Sequence, residues 1–592
     1  MASPDVITFI DRFRRAVESA PSRPALVFCR GSREADGEEI VSYAQLDRQA
    51  RSRAVWLQGR LRPGDRALLL HPDGVEFVRS FIGCLYAGVV PVPAPPPRAD
   101  GRGLRPLAGL AADAEPAVVL TESSTVEQLR AQLASAGVPE ELVVASDELP
   151  ESTEGWTPPE VTPETLAVLQ YTSGSTSDPK GVMVTHGSLA ANLDAIDYYS
   201  GCVAGDVVVS WLPHFHDMGL VGVTLQPLAV GGTCVFMAPM SFLRRPVRWL
   251  EAVSRWRGSF SAAPDFAYDL CSRMVTEEQS AALDLSTWRG VLNGAEPVRA
   301  RTLDKFARRF AANGFRPDAF MPCYGMAEVT LMATSTHAAA SPVVLTVDAG
   351  ALERNELRPT PMSDGPQLTG CGAADPRTLR IVDPVSRAVL PEGCVGEIWL
   401  AGSSVTAGYW RRPAVTAEVF AARTADGDGP WLRTGDLGAV LDEQLYVTGR
   451  LKDVIIVNGR NLYPQDIERA VSDLHPALGA GSGAVFGVPG DREHVVVVHE
   501  VQPAALRGVE LQELAARVKV AVALEFEVAA ASVVLVQRGA VRRTTSGKIR
   551  RAIMRTLFLE RRLPRLYEDV APALEGMRAE RSLPEAAAVV VG

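Results

Sequence analysis

The chain has 592 residues and a formal net charge of -10. Its length exceeds what one ordinary hydrophobic core can use and predicts roughly three or four compact units. The acidic balance disfavours a nucleic-acid-binding class, whose members more often carry a basic surface. Apolar residues make up 47% of the sequence, a normal share for a globular protein and one that argues against disorder.

Cysteine usage and the N-terminal segment bear on the compartment. The eight cysteines are scattered and form no Cys-x-x-Cys pair, which predicts free thiols in a reducing environment rather than disulfides or a metal site. Residues 1–15 mix charged and apolar residues, which indicates an amphipathic helix and not a signal peptide. No run of about 18 apolar residues occurs, so we expect no transmembrane helix and a cytoplasmic location.

Short apolar strands alternate with helical patterns in the first part of the chain. Strands are predicted at residues 66–71 and 117–121, with a helix at residues 75–88 between them. Continuous apolar strands are expected where both faces of a sheet are covered. The alternation therefore predicts an α/β fold with a largely parallel sheet. The proline-rich residues 91–97 (PVPAPPP) are predicted to form a stiff, extended connector.

A Ser/Thr/Gly-rich segment follows the next predicted strand, residues 166–171. It has the sequence TSGSTSDPKG over residues 172–181 and leads into another apolar strand at residues 182–185. Small residues let the backbone approach a polyphosphate, and hydroxyl groups, backbone N–H groups and Lys180 can all bind its oxygens. The segment is not a Walker A loop, because there Ser or Thr and a helix follow the lysine. Taken alone, its composition fits a flexible surface loop equally well.

The chain changes character after this α/β region. Between residues 378 and 408, strands at residues 380–382 and 396–401 are separated by Pro and Gly turns, which predicts a smaller β-rich subdomain. Later elements are predicted as strands at residues 445–447, 454–457, 495–501 and 531–536, and as a helix at residues 511–523. We place a domain boundary at Lys452, which gives domains of residues 1–451 and 452–592. Residues 573–592 are expected to fray.

Several polar residues have both an ordinary structural explanation and a chemical one. His214 and His216 are two residues apart in SWLPHFHDMGL, so on a strand they would face one way. With Asp217 they could suggest a metal site, although that interpretation is the weaker one. Glu328 by itself resembles a solvated helix charge, and a Gly-Asp pair such as that of Asp436 favours a turn.

The motifs and their order resemble the adenylate-forming superfamily, which includes acyl-CoA synthetases, adenylation domains and luciferases. The resemblance covers roughly residues 43–551. TSGSTSDPKG is similar to the signature phosphate loop of that superfamily, although Ser177 replaces the usual glycine. The resemblance implies that the loop residues binding ATP are Thr172, Ser173, Gly174, Ser175, Thr176 and Lys180.

Two further segments resemble the nucleotide site of the superfamily. NGAEPV resembles the segment against the adenine, and YGMAE the motif in which Tyr324 contacts adenine and Glu328 binds Mg²⁺. Mg²⁺ prefers hard oxygen ligands such as a carboxylate, which it shares with the phosphates. The resemblance implies nucleotide contacts for Asn293, Gly294, Ala295, Glu296, Tyr324, Gly325, Met326 and Ala327. It implies ATP and Mg²⁺ as cofactors.

The remaining motifs imply a second, moving part of the site. Asp436, in RTGDLG, matches the carboxylate that accepts hydrogen bonds from the ribose hydroxyls, and Arg450 matches a second ribose and phosphate contact. Lys452 matches the hinge about which the small domain turns. Lys548, in TTSGKIR, matches the catalytic lysine, although a lysine in such a basic stretch is usually just solvated. His216 matches the position next to the substrate carboxylate.

The resemblance is closest to the fatty acyl-AMP ligase branch. The segments that carry it are SWLPHFHDMGL, MSFLRRPVRWL, SAAPDFAYDLC, YGMAEVTL and GRNLYPQDIE. Ala327 is typical of this branch, whereas Asp265 departs from the Asn that is common there. Residues 343–365 match an insertion that the family links to poor transfer to coenzyme A; without that context they would be a surface loop.

This resemblance implies a specific architecture and reaction. The architecture is a large N-terminal domain of two α/β subdomains and a small β-rich subdomain, followed by a smaller mobile α+β C-terminal domain. The reaction is ATP-dependent activation of a medium- or long-chain fatty acid to an acyl-adenylate with release of pyrophosphate. The acyl group would then pass to the phosphopantetheine of a separate acyl carrier protein or polyketide synthase.

Three alternatives stay open. One is a fatty acyl-CoA ligase. Another is an enzyme that adenylates aryl or amino acids, since amino-acid adenylating domains use an aspartate near the position of Asp217 to hold the substrate ammonium. The third is a relative that only binds nucleotide, against which the presence of Glu328, Asp436 and Lys548 argues.

Overall fold

The structure is a computed structural model that describes residues 7–30, 37–98, 101, 103–172, 179–362, 365–457, 460–479, 482–490, 493–506, 508–544 and 548–580. The strands in chain order are β1 (Pro24–Cys29), β2 (Glu38–Ser42), β3 (Arg66–Leu69), β4 (Val90–Pro93), β5 (Val118–Thr121), β6 (Val143–Ala145), β7 (Leu166–Thr172), β8 (Lys180–Thr185), β9 (Val207–Ser210), β10 (Thr233–Met237), β11 (Phe260–Ala263), β12 (Gly290–Asn293), β13 (Phe320–Gly325), β14 (Met332–Ser335), β15 (Val344–Thr346), β16 (Gln367–Ala373), β17 (Leu379–Val382), β18 (Gly396–Leu400), β19 (Leu432–Leu441), β20 (Gln444–Arg450), β21 (Ile455–Val457), β22 (Arg460–Leu462), β23 (Gly483–Val488), β24 (His494–Glu500), β25 (Ala530–Val536) and β26 (Arg565–Val570).

The α-helices in chain order are α1 (Phe9–Ser19), α2 (Tyr43–Gln58), α3 (Val75–Ala87), α4 (Leu104–Ala114), α5 (Val126–Ala134), α6 (His186–Ser200), α7 (Gln226–Val230), α8 (Pro239–Arg244), α9 (Val247–Trp256), α10 (Asp265–Met274), α11 (Glu277–Ser280), α12 (Ala300–Phe310), α13 (Ala349–Glu353), α14 (Pro413–Phe420), α15 (Pro464–Asp473), α16 (Pro476–Gly479), α17 (Leu511–Phe526), α18 (Arg551–Leu559) and α19 (Pro572–Glu580). A π-helix spans Met218–Leu225. Short 3-10 helices lie at Glu140–Leu142, Ser146–Glu148, Ala311–Asn313, Pro317–Ala319, Ala327–Val329 and Pro503–Ala505. None of the helices in the described ranges is long and apolar enough to cross a membrane.

Two sheets with mainly parallel strands form the α/β region. The larger has eight strands in the order β14-β13-β12-β11-β9-β10-β1-β2, with antiparallel strands only at its two edges. The smaller has the order β4-β3-β5-β6 and is parallel throughout. Helices α2 and α3 pack into one apolar cluster with strands of both sheets. The predicted α/β class is therefore confirmed.

The proline-rich connector is partly a strand. Its first residues form β4, which pairs with β3 at the edge of the smaller sheet. Val90 N donates to Asp65 O and Ala94 N donates to Leu69 O, so residues that keep their N–H groups make these bonds. Prolines lack that donor and are tolerated on an edge strand. The extended conformation agrees with the prediction for these residues, and the structure adds that they belong to a sheet.

The β-rich region is a six-stranded antiparallel sheet in the order β15-β16-β20-β19-β18-β17. The predicted insertion, residues 343–365, supplies its edge strand β15 and the helix α13. Val347 and Leu352 are buried against Leu437 of β19 and Tyr446 of β20, in the same six-stranded sheet. The insertion is therefore packed into the core of this region and is more than a surface loop.

The C-terminal region is built around the four-stranded sheet β23-β24-β25-β26, in which only β24 and β25 are parallel. Helices α15 and α17 cover one face and α18 and α19 the other. The expected fraying is wrong for residues 573–580, which belong to α19. Leu574 is buried there, and Arg578 donates to Phe558 O and pairs with Glu568. Residues 581–592 lie outside the described part of the chain.

The N-terminal segment and the cysteines agree with their predictions. Helix α1 begins with a capping box between Thr8 and Asp11, and Phe9 and Phe13 on its apolar side are buried. Reciprocal bonds of this kind satisfy two otherwise unpaired N–H groups. All eight cysteines are free thiols.

Candidate active site

The phosphate-loop candidate connects two paired strands. Thr172 ends β7 and lies opposite Lys180, the first residue of β8, so the hairpin brings the two ends of the loop together. The predicted contacts Ser173, Gly174, Ser175 and Thr176, and the unusual Ser177, lie outside the described residues. A Cβ on Gly181 would lie 2.9 Å from Tyr171 Cζ, so the aromatic ring requires glycine here.

Lys180 and Glu328 meet at one tyrosine. Lys180 Nζ lies 4.9 Å from the centroid of the Tyr409 ring, and Tyr409 Oη donates to Glu328 Oε1 at 2.8 Å. No chemical pattern in the sequence points to Tyr409, because it is 81 residues from Glu328 and follows a glycine in a turn-rich stretch. Only the fold shows that it contacts two predicted site residues.

Glu328 is the carboxylate that fits Mg²⁺. It is 8% exposed, and burial raises its pKa, although the hydrogen bond from Tyr409 acts in the opposite direction. The described residues contain no group of three or more His, Cys, Asp or Glu that could hold a metal by themselves. Mg²⁺ typically uses one or two carboxylates together with phosphates and water, so a single buried carboxylate beside a phosphate loop suits this ion.

Asp436 joins Tyr324 and Arg450. Tyr324 Oη donates to Asp436 Oδ2 at 2.9 Å, and Arg450 Nε lies 3.0 Å from Asp436 Oδ1. Asp436 and Arg450 are opposite each other in the β19–β20 pairing, and the carboxylate raises the pKa of Arg450. A carboxylate offers about four acceptor sites. Asp436 therefore keeps the capacity to accept two ribose hydroxyls while both partners hold it.

Asn293 has one unused buried atom. Its Nδ2 donates to Asp265 Oδ1 at 3.1 Å, whereas its Oδ1 is buried without a hydrogen-bond partner. Asp265 also accepts from Arg299 N and Thr302 Oγ1, so the aspartate that departs from the family pattern is well satisfied. An unpaired buried acceptor is costly, and Asn293 Oδ1 is therefore a candidate to accept from the adenine amino group.

The residues after Asn293 form a tight turn. A Cβ on Gly294 would lie 2.7 Å from Cys323 Sγ, and Ala295 has a φ of 65°. Glu296 Oε1 accepts from Phe266 N at 2.6 Å. Burial, and then Asp265, raise the pKa of Glu296 to about 7.

The YGMAE segment ends β13 and enters a 3-10 turn. A Cβ on Gly325 would lie 1.8 Å from Leu331 O, so the crossing of these backbones requires glycine. Met326 packs against the apolar cluster that contains Tyr324. Ala327 is 4% exposed, which leaves a larger side chain little room.

The two histidines occupy different environments. They lie in a turn after β9, not on a strand, and therefore do not face one way. The His214 ring contacts Phe77 and Phe236, and burial lowers its pKa to about 4. His216 Nδ1 lies 2.6 Å from Asp217 Oδ1. A carboxylate at this distance orients the imidazole, as in other carboxylate–histidine pairs.

Asp217 is already engaged within the protein. Besides His216, it accepts from Met218 N at 2.7 Å at the start of the π-helix. Burial alone would raise the pKa of Asp217, but His216 and then Lys548 lower it overall. The aspartate therefore stays ionised beside His216 and Lys548.

Lys548 lies among residues of the large N-terminal region. Its N–H donates to Thr544 Oγ1 and its carbonyl accepts from Thr544 N, so a small hairpin holds its backbone. Burial lowers the pKa of its ammonium, and the nearby Arg450 lowers it further. Three carboxylates act in the opposite direction: Asp217, Asp436 and Glu296.

Lys452 lies at the junction between the two regions. It follows β20, in a turn closed by the bond from Asp453 N to Arg450 O. Burial and Arg450 lower the pKa of Lys452, and the ammonium of Lys180 lowers it slightly as well. Lys452 and Lys548 are thus both close enough to Arg450 to be affected by its charge.

The insertion contacts the C-terminal region through polar groups. Arg460 Nε and Nη2 each donate to the carboxylate of Glu353 at 2.7 Å. Asn461 Nδ2 donates to Asn355 Oδ1 at 2.9 Å. The predicted insertion is thus one of the surfaces on which the C-terminal region rests.

Comparison with known proteins identifies relatives over nearly the whole chain. Residues 13–410 match the family profile described as AMP-binding enzyme. Residues 452–568 match the profile described as Disco-interacting protein 2-like, AMP domain. The chain is 40% identical over 573 residues to the medium-chain-fatty-acid–[acyl-carrier-protein] ligase JamA of Moorena producens. This alignment covers 95% of the chain and 96% of JamA.

A second relative and one solved structure belong to the same group. The chain is 39% identical over 508 residues to the long-chain-fatty-acid–AMP ligase FadD26 of Mycobacterium tuberculosis, covering 83% of this chain and 86% of that protein. The fatty acyl-adenylate ligase from L. pneumophila, solved in complex with acyl adenylate and pyrophosphate, is 33% identical with a TM-score of 0.73. That alignment covers 95% of this chain and 98% of the other.

Proposed function

Because this chain belongs to the AMP-binding enzyme family, we propose that it is a fatty acyl-AMP ligase. It activates a medium- or long-chain fatty acid with ATP, releases pyrophosphate and passes the acyl group to the phosphopantetheine thiol of an acyl carrier protein. The observation that carries this proposal is the cluster around Asp436, in which Tyr324 Oη donates to Asp436 Oδ2 at 2.9 Å and Arg450 Nε lies 3.0 Å from Asp436 Oδ1. Lys548, from the C-terminal region, is electrostatically coupled to Asp436 and also to Asp217 and Glu296.

Charge neutralisation is the main task of such a site. The substrate carboxylate and the α-phosphate of ATP are both negative, and catalysis of this transfer is mostly positioning and electrostatics. Lys180 and Lys548 would each supply positive charge to the phosphates of bound ATP, the first from the large N-terminal region and the second from the C-terminal region. Asp436 and Arg450 hold the ribose. Mg²⁺, when bound by Glu328, supplies further positive charge to the phosphates.

His216 and Asp217 support an acid without an amino group. The ammonium of an amino-acid substrate would have to compete at Asp217 with the charge of Lys548, which already lowers the pKa of this carboxyl, and with the contacts of Asp217 to His216 and Met218 N. The π-helix that follows contains buried apolar residues, including Leu220 and Val221. An oriented imidazole followed by an apolar segment suits a carboxylate with a hydrocarbon chain.

The contacts of the insertion support a carrier-bound thiol as the acceptor. A pair such as Glu353–Arg460 restricts how the C-terminal region turns after adenylation. We place the hinge at Lys452, between an N-terminal domain of residues 1–451 and a C-terminal domain of residues 452–592. Rotation there would withdraw Lys548 and open a path for a thiol. JamA is itself an acyl-carrier-protein ligase by name. The carrier is either a free acyl carrier protein or a carrier domain of a polyketide synthase.

One incubation series tests the proposal. The protein is mixed with Mg-ATP and fatty acids of graded length, with aryl and amino acids in parallel, and products are identified by mass. We expect acyl-AMP and pyrophosphate with fatty acids but not with aryl or amino acids. After addition of a phosphopantetheinylated carrier protein, we expect an acyl thioester. Equal or faster formation of acyl-coenzyme A would instead identify a fatty acyl-CoA ligase. AMP release only with aryl or amino acids would reject the fatty-acid assignment.

A further inference from the structure

Tyr409 lies between the phosphate-loop lysine and the magnesium carboxylate. We propose that it is a positioning residue that keeps Lys180 and Glu328 apart and directs both toward the Mg–phosphate end of ATP. This inference rests on the proposed use of ATP. It assigns a role to a residue that contacts neither the acyl group nor the α-phosphate and acts through its two neighbours.

The Tyr409 ring is fixed on several sides. It is 6% exposed, and Phe420 packs edge-on against it with the ring centroids 5.2 Å apart. Tyr409 N donates to Thr416 Oγ1 at 3.0 Å, and an isolated bridge pairs Tyr409 with Val182 of β8. A ring held in this way cannot swing out of the space between its two polar neighbours without breaking these contacts.

Gly408 permits this placement. Its φ is 116°, and a Cβ there would lie 2.2 Å from Thr416 Cγ2. Glycine is the residue that adopts such a backbone conformation without strain. The turn therefore sends the chain directly from Thr406, which donates to Glu328 O from both its N and its Oγ1, to Tyr409. One short segment thus holds the main chain and the carboxylate of Glu328.

The two ends of Tyr409 interact differently with its neighbours. The hydroxyl donates to Oε1 of Glu328, which leaves the other carboxylate oxygen for a metal. The electron-rich face attracts the Lys180 ammonium, an interaction that desolvation strengthens. In the part of the chain that is described, no ion pair joins Lys180 to Glu328. A direct pair would be strong in a buried setting and would neutralise the cation meant for phosphate and the anion meant for Mg²⁺.

The two functions of the side chain can be removed separately. Tyr409→Phe keeps the ring and loses the hydroxyl, whereas Tyr409→Leu loses both. A matched control is Tyr86→Phe, because Tyr86 is also fully buried and its Oη donates to Asp47 Oδ1 at the same distance, 2.8 Å. The assay is equilibrium ATP binding by calorimetry, without any acid, over a series of Mg²⁺ concentrations and in EDTA.

We expect a selective change in the magnesium dependence. Tyr409→Phe should raise the Mg²⁺ concentration for half-maximal ATP binding about tenfold, a typical effect of removing a group that orients a metal ligand. Its ATP affinity in EDTA should match that of the wild type and of Tyr86→Phe. Tyr409→Leu should in addition weaken ATP binding in EDTA roughly threefold or more, because Lys180 can then pair with Glu328.

A double variant establishes whether Tyr409 acts through Glu328. In a Glu328→Gln background, Tyr409→Phe should cause no further change in the Mg²⁺ dependence. Phe420→Leu, which loosens the ring but keeps every polar group, should shift the dependence in the same direction by a smaller factor. If Tyr409→Phe does not fold, Phe420→Leu alone tests whether the Tyr409 ring affects the Mg²⁺ dependence.

An unchanged Mg²⁺ midpoint in both Tyr409→Phe and Phe420→Leu would overturn the inference, as would an equal shift in Tyr86→Phe. Additive effects of Glu328→Gln and Tyr409→Phe would also reject it. Failure of the proposed function looks different: wild-type protein would then bind Mg-ATP but form no acyl-AMP with any acid. The binding assay contains no acid, so it judges Tyr409 independently.

Discussion

The predicted nucleotide contacts of the N-terminal region and the predicted catalytic lysine of the C-terminal region are held in different ways. Asp436 is 6% exposed and is bonded to Arg450 on the paired strand β20 and to Tyr324 on β13 of the eight-stranded sheet. The backbone of Lys548 is bonded to Thr544, four residues away. Its ammonium is balanced by carboxylates that belong to the other region.

This difference separates binding from catalysis. A buried network that is satisfied before ligand arrives is preorganised, so the ribose and metal ends of ATP meet a rigid surface. Lys548 reaches the same place only while the C-terminal region rests where it does, on contacts such as Glu353–Arg460. The geometry therefore predicts that variants in the first region affect nucleotide affinity, whereas variants in the second affect the rate of one half-reaction.

The sharpest test of this comparison is Lys548→Ala. We expect the rate of acid-dependent ATP–pyrophosphate exchange to fall about 10²–10³-fold, the typical effect of losing one group that stabilises transition-state charge. Equilibrium ATP binding and thioester formation from supplied acyl-AMP should change little. Lys519→Ala is the control, since Lys519 pairs with Asp569 within the C-terminal region. A normal exchange rate in Lys548→Ala would contradict the role of this lysine.

Asp436→Asn should give the opposite pattern. The change keeps the shape of the side chain but removes the charge that pairs with Arg450, and hydrogen bonds to charged groups are typically worth about 1.5–3 kcal/mol. We expect ATP affinity to weaken about 10–100-fold, with a smaller effect on the maximal exchange rate. Asp383→Asn, at an exposed turn on the same sheet, is the control. If Asp436→Asn lowered only the maximal exchange rate and left the ATP affinity unchanged, the separation of binding and catalysis between the two regions would be wrong.

Glu296→Gln tests how much the desolvation of a carboxylate near Lys548 lowers the stability of the folded protein. Glu296 has a pKa of about 7 in the folded protein, against an ordinary 4.5. Because the pKa of Glu296 is higher in the folded than in the unfolded protein, the protonated carboxyl stabilises the folded state. This contribution to the free energy of unfolding is fully present below pH ~4.5 and is lost as the pH rises through ~7. The variant avoids this loss. It should equal the wild type in unfolding temperature at about pH 4 and exceed it by about 2–5 °C at about pH 8.

The matched control is Glu278→Gln, at an exposed position on α11. It should leave the wild-type pH dependence in place. If Glu296→Gln lowers the unfolding temperature at pH 8, the attraction between Glu296 and the cations around it outweighs the desolvation of the carboxylate. That outcome would make Glu296 part of the binding surface for Lys548.

Glu353→Ala addresses the boundary between the regions and has the smallest expected effect. The Glu353–Arg460 pair is partly exposed, and pairs of this kind contribute about 0.2–1 kcal/mol. We expect the ratio of thioester formation to adenylation to rise about two- to fivefold, because the C-terminal region can leave its position more easily. Glu356→Ala is the control, since Glu356 pairs with Arg358 inside the insertion. If Glu353→Ala and Glu356→Ala gave the same ratio of thioester formation to adenylation, the Glu353–Arg460 pair would not restrain the C-terminal region.

Much of the fold was predictable because its signals are local. The predicted helix at residues 75–88 is α3, and the predicted strands at residues 166–171 and 182–185 are β7 and β8 within one or two residues. Apolar periodicity and Gly/Pro turns decide such elements without reference to distant parts of the chain. Tertiary contacts decided the rest. The proline-rich residues are extended as predicted, but their pairing with β3 was not predictable, and the prediction of fraying was wrong where Leu574 anchors a helix.

The sequence by itself determined the family, the α/β class and the set of polar residues that could bind ATP, because their order along the chain is a property of the chain alone. Only the tertiary structure decided which of them meet. It separated His214 from His216, engaged Asp217 with His216 and Met218 N, and brought Lys548 to the carboxylates of the other region. It also placed Tyr409 between Lys180 and Glu328. Such contacts join residues far apart in sequence, and no local pattern encodes the distance between them.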